Sequence, residues 1–150
     1  MKQSPESKKL EEALRSSKLV AGGFMGNDSR SVPDVISADA AQLKKLGYTT
    51  EQVAKRMKEI TDIATKALEN WVDIDHKRRA MVDEAKGPIV CPWPHPGRYD
   101  KRVTTVEVKE TGECIFWSDL NIHLIAEHGF FEGKGSAFRI EPKKLVNIIF

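Results

Sequence analysis

Four residues of this chain could ligate a metal: Cys91, His95, His123 and His128 offer one sulfur and three imidazoles, the donor types that zinc takes. The spacing works against the full set. On a helix turning about 100° per residue, His123 and His128 lie about 140° apart, whereas two ligands on one helical face stand at i and i+4. His128 escapes that constraint only at a frayed last turn beside Gly129. Cys-x-x-x-His is by itself a weak pattern, so the metal reading, either a structural zinc site or a metal-dependent hydrolase, is the alternative rather than the leading one.

The turn that follows supplies a second chemistry. Gly133, Lys134, Gly135 and Ser136 can form a nest of backbone amides, and Arg139 adds a planar fork suited to phosphate or carboxylate. His128 precedes the turn, and His95 joins it if the Pro-rich segment packs nearby. The leading expectation is therefore a small anionic ligand held by His128, Gly133, Lys134, Gly135, Ser136, Arg139 and His95. A nucleotide-binding P-loop is excluded, because three residues rather than four separate Gly129 from Gly133, Gly135 splits lysine from serine, and no helix follows. Nucleophilic catalysis has little to stand on: Ser136 lacks a strand-turn-helix elbow, and Cys91 lacks a helix N-terminus to lower its pKa. Neither a reaction nor a cofactor can be named from these residues.

Several elements must position these groups. Ser4 and Pro5 open a first helix with a thin apolar stripe of Leu10, Ala13, Leu14 and Val20. A turn-rich loop from Val20 to Pro33 follows, in which Asp28 and Arg30 could close over a site, and a second helix spans about Asp34 to Leu46. Thr49 and Gln52 stand at capping-box spacing before the strongest periodic signal. Val53, Met57, Ile60, Ala64, Ala67, Trp71 and Ile74 recur in steps of four and three, predicting one long helix that Met81, Val82 and Ala85 carry toward Lys86. That stripe either packs against the first two helices or forms a seam for a homo-oligomer or a helical protein partner.

After Gly87 the composition changes. Four prolines in PIVCPWPHPGRYD predict an extended crossover or edge segment, with Trp93 read as a lid over the core. Arg102 to Lys109 and CIFW form a hairpin around ETGE. Ser118 caps a short helix, DLNIHLIAEH, that Gly129 ends. Its apolar residues lie on two opposite faces, Ile122, Ile125 and Ala126 against Leu120 and Leu124, which predicts a helix sandwiched between layers. His123 is expected to lean on Asp119, and Pro142 opens either a last helix or a final strand.

The fold class that follows is α+β, with an N-terminal helical segment of two or three helices, one long, packed on a small C-terminal part holding a β-hairpin and a short helix. The segments are residues 1–86 and 87–150, or one integrated domain. Lys and Arg number 24 against 22 acidic residues, a net charge of +2. Residues 1–86 carry 16 basic and 14 acidic groups and residues 87–150 carry 8 of each, so no stretch marks a nucleic-acid surface. Two cysteines are too few for a disulfide framework, and neither a leader-like apolar run nor a membrane-length one occurs. A cytoplasmic protein is the expectation, with no membrane partner.

Overall fold

A computed structural model describes residues 5–16, 23–93, 95 and 97–150. The expected Ser4 cap, Val20 of the first stripe and Gly22 of the first loop lie outside the described residues, as do Pro94 and Pro96. The fold is α+β: α1 (Pro5–Ser16), α2 (Val32–Lys45), α3 (Thr50–Thr65), β1 (Val72–Asp73), β2 (Arg78–Val90), β3 (Arg98–Val108), β4 (Cys114–Ser118), α4 (Asp119–His128) and α5 (Pro142–Ile149). The strands form one antiparallel sheet in the order β1-β2-β3-β4. No helix among the described residues is long and apolar enough to cross a membrane.

The long helix expected through Ile74 stops at Thr65. Thr49 and Gln52 do close the capping box, and Val53, Met57, Ile60 and Ala64 are buried. Beyond them, Leu68 (φ 52) and Glu69 (φ 64) take left-handed backbone. The Asn70 side-chain amide donates to the carbonyls of Ala67 and Leu68. That end turns the chain over, and Met81, Val82 and Ala85 belong to β2 instead. Alternation decided the outcome: Ala80 and Val82 are buried while Asp83 is exposed, a period-2 pattern that a helical template matches by accident over so few residues. The β2 strand also runs through position 86, where the composition changes.

The apolar face of α3 packs on the sheet and on α5 within one cluster, beside Ala80, Val82, Val106, Trp117, Leu145 and Ile149. A buried polar link crosses the same interface. Thr61 Oγ1 accepts from Trp117 Nε1 at 2.9 Å and lies 2.6 Å from Thr104 Oγ1. Satisfying the indole N–H in this way lets a full Trp be buried without an orphaned donor.

A second cluster gathers Leu14, Phe24, Met25, Val32, Val35, Cys91, Leu120, Leu124 and Phe130. Helix α4 separates the two, giving Ile125 to the first and Leu120 and Leu124 to the second. This is the sandwiched position that its two-sided wheel predicts. The hairpin β3–β4 turns through 109–113, and Pro142 opens a helix rather than a strand.

Candidate metal centre

Helix α4 is defined at both ends by its sequence. Ser118 Oγ accepts from the Asn121 backbone N–H at 3.0 Å, and Asn121 Oδ1 accepts from the Ser118 N–H at 2.8 Å. At the other end Gly129 adopts φ 62, a left-handed stop that lets the Phe130 N–H reach the Leu124 carbonyl at 3.0 Å. His128 is thus the last helical residue, and His123 lies one and a half turns earlier.

Above this helix end hangs the Pro-rich turn between β2 and β3, carrying Cys91, Trp93 and His95. The four expected ligands converge: one donor atom from each of Cys91, His95, His123 and His128 falls within 4.8 Å of all the others. His95 Nε2 is 3.1 Å from His128 Nε2 and 3.1 Å from His123 Nε2, and Cys91 Sγ is 3.6 Å from His128 Nε2. The 140° offset on the wheel excludes a site lying on the helix surface. It does not exclude one centred away from the helix, where the three rings meet as a triangle with centroids 4.9, 5.2 and 5.2 Å apart.

Neighbouring groups hold the two helix rings. Trp93 stacks on His128 with centroids 4.1 Å apart and planes 9° from parallel, and it meets Phe130 edge-on at 5.4 Å. It is a lid over the second cluster, as its sequence setting suggests, and it also fixes an imidazole. Tyr99 Oη lies 2.8 Å from His123 Nδ1, which leaves Nε2 to face the cluster. Gly97 (φ 152) makes this approach open, since a Cβ there would press on the Tyr99 hydroxyl. The expected Asp119 to His123 contact is replaced: Asp119 accepts from Arg102 Nε at 2.8 Å, because β3 brings a cation to the helix start.

Burial governs the charge states. It pulls His128 down to about 4, with His123 and His95 adding to the effect and Glu127 opposing it. His123 is lowered for the same main reason, helped by His95. Burial pushes the Cys91 thiol up, against the Trp93 backbone N–H that favours the thiolate. His123 and His128 are therefore held toward the neutral form, in which imidazole donates a lone pair to a metal.

The Gly-rich turn lies in a different setting. The Gly133 N–H donates to the Phe24 carbonyl at 2.8 Å, the Lys134 N–H to Asp28 Oδ2 at 3.1 Å, and the Asn27 N–H to the Lys134 carbonyl at 3.0 Å. Asp28 also takes the Arg30 side chain, which holds its carboxyl well below the usual range. Arg139, its side chain 8 % exposed, forms a two-pronged pair with Asp39 and donates further to Glu141 and to the Glu132 carbonyl. Ser136 is buried against Glu132 and Gly23. His128 and His95 instead meet Cys91 and His123 at the end of α4.

Tyr99 and Asp39 carry weight here without having stood out in the sequence. Only Tyr99 left a trace, as the aromatic residue that resumes a strand two positions after Gly97. The chain matches no protein-family model, no curated protein and no solved structure.

Proposed function

We propose that this is a zinc-binding protein in which Cys91, His95, His123 and His128 hold one ion and fasten the Pro-rich turn to the end of α4. The observation that carries the reading is a match of lengths. With Zn–N near 2.05 Å and Zn–S near 2.3 Å, a tetrahedron places two nitrogens about 3.3 Å apart and a sulfur and a nitrogen about 3.6 Å apart. Three of the six edges, 3.1, 3.1 and 3.6 Å along the path His123, His95, His128, Cys91, lie close to those lengths, and all six are within 4.8 Å.

The donor set fits the ion in kind as well. One thiolate and three neutral imidazoles leave a divalent ion with a net +1, and the soft sulfur favours zinc over magnesium or calcium. Around the donors, Tyr99 Oη stands 2.8 Å from His123 Nδ1, placed to accept its proton once Nε2 holds the ion, and the Trp93 backbone N–H faces Cys91, the outer contacts that orient ligands. Four protein donors close the coordination sphere, which favours a structural role over a catalytic one with an open position. A reducing, cytoplasmic setting suits an unpaired thiol ligand.

Support for an anionic ligand at residues 133–139 is weaker. The Lys134 amide and the Arg139 fork, its strongest recognition groups, are taken up by Asp28 and Asp39 of the same chain.

The test is metal content and spectroscopy. The purified chain should carry one zinc per molecule, and cobalt should replace it with the intense visible bands of a tetrahedral site and a thiolate-to-metal band. The variant C91S should lose that thiolate band, and H128A should lose tight binding. A protein that takes up neither ion at micromolar concentration would overturn the reading.

A further inference from the structure

Beneath the Gly-rich turn lies a buried acid whose partners compete for a single hydroxyl proton. Glu132 is 2 % exposed and sits at φ 68, a conformation that costs a non-glycine residue and persists where its surroundings hold it. Its Oε2 accepts from Asn121 Nδ2 at 2.8 Å, and the second proton of that amide goes to the Phe138 carbonyl at 3.3 Å. Its Oε1 is 2.6 Å from Ser136 Oγ, which is also 3.2 Å from the Gly23 carbonyl.

A hydroxyl has one proton to give. With an ionised Glu132, Ser136 faces two acceptors and can satisfy only one. With a protonated Glu132, the acid donates to Ser136 Oγ, Ser136 donates to the Gly23 carbonyl, and every group is served.

That chain of donors ties together two loops. Residues 23–28 and 132–136 approach so closely that a Cβ on Gly26 would strike the Ser136 and Gly135 backbone, and one on Gly133 would strike Met25. The Gly133 N–H to Phe24 and Asn27 N–H to Lys134 bonds cross the same seam. We propose that Glu132 is a proton-operated clasp: as the neutral acid it holds the 23–28 loop to the 132–136 turn through Ser136, and its ionisation loosens that loop.

The charges around it have been assigned elsewhere. From the turn itself, Lys134 is exposed and Arg139 is paired with Asp39 of α2 and with Glu141, although its positive charge opposes the rise in the Glu132 pKa. From the loop, Asp28 is paired with Arg30. Helix α4 presents only the neutral Asn121 to the carboxyl. From β3, Asp100, Lys101 and Arg102 line the cavity of about 210 Å³ that Glu132 borders with Phe24, Leu120 and Phe138, and Arg102 is paired with Asp119. Burial outweighs the hydrogen bonds and the Arg139 charge and pushes the carboxyl up to about 7 from 4.5.

Because the folded value is raised, the stability this group adds is complete below 4.5 and is lost as pH rises toward 7. The decisive measurement is an NMR titration of the Glu132 side-chain carboxyl in the unmodified protein. A midpoint near 7 is expected, and one at or below 4.5 overturns the proposal. Hydrogen exchange of the Gly133 and Asn27 amides between pH 5 and 7 gives the mechanical readout. Relative to the intrinsic rate, opening should grow by up to about tenfold per pH unit in the wild type and stay flat in E132Q, whose amide supplies the same donor at every pH. Equal pH dependence in both proteins, or none in the wild type, would remove the clasp. Should E132Q fail to fold, the wild-type titration still decides.

Discussion

The Cys-His cluster and the Gly-rich turn each gather polar side chains from distant parts of the sequence, and they pair them in opposite ways. In the turn, unlike charges meet: Arg139 faces Asp39, and Asp28 faces Arg30 and the Lys134 amide. In the cluster, like meets like, with three imidazole tips and a thiol directed at one another. Groups that complement one another hold a fold, whereas a convergence of lone pairs gains most from a cation placed between them. Residue types alone do not separate the two cases; the pairing does.

The most forceful way to break this contrast is Arg139→Ala. If the arginine is architecture, removing it strands a buried Asp39, at a cost of about 3–5 kcal/mol, and denaturant melts will show a protein close to unfolding. An Arg139→Ala protein of wild-type stability would mean that the fork is free for a ligand after all. Next in size comes metal withdrawal. Zinc at a hundredfold excess over its dissociation constant stabilises by about 2.7 kcal/mol, so a chelator should lower the melting temperature of the wild type and leave that of H128A unmoved.

Tyr99→Phe sharpens the comparison further. It removes only the hydroxyl that orients His123, and outer contacts of this kind are worth about 10–100-fold in metal affinity. Competition with a chromogenic chelator reads that loss, and the fold should remain intact. A smaller difference separates the two regions on acidification. Zinc release follows protonation of the imidazoles, while the Asp28 contribution is complete above 3.8 and is lost only as pH falls through its lowered folded value. On acidification metal should therefore leave at a higher pH than the one at which the Asp28 link to the turn breaks, and Asp28→Asn should shift only the second event.

Helix α4 was readable residue by residue, because its cap, its stop and its two apolar faces are all local signals. The hairpin was equally open, since β-branched alternation and a Thr-Gly turn act over short range. The extent of α3 was not. Val53 to Ile74 keeps a helical rhythm, and nothing before Asn70 announces that Leu68 and Glu69 will reverse the chain. Non-local contact decides there, as Ala80 and Val82 gain more from the sheet than from a helix. The four candidate donors were visible as types, but their meeting depends on a turn crossing over a helix end, a relation that no spacing along one element encodes. Asp39 stayed hidden for the same reason, since its partner Arg139 lies a hundred residues away.

The stacking of Trp93 on His128 gives the molecule its own optical indicator. Indole emission responds to the polarisation of the ring it rests on, and a cation at His128 Nε2 would change that ring's electron density without moving it. Trp117 is sealed in the core and Trp71 sits under the Arg79 guanidinium, so both supply a steady background. Binding of the proposed ion would then be read by light alone, with no label on the chain.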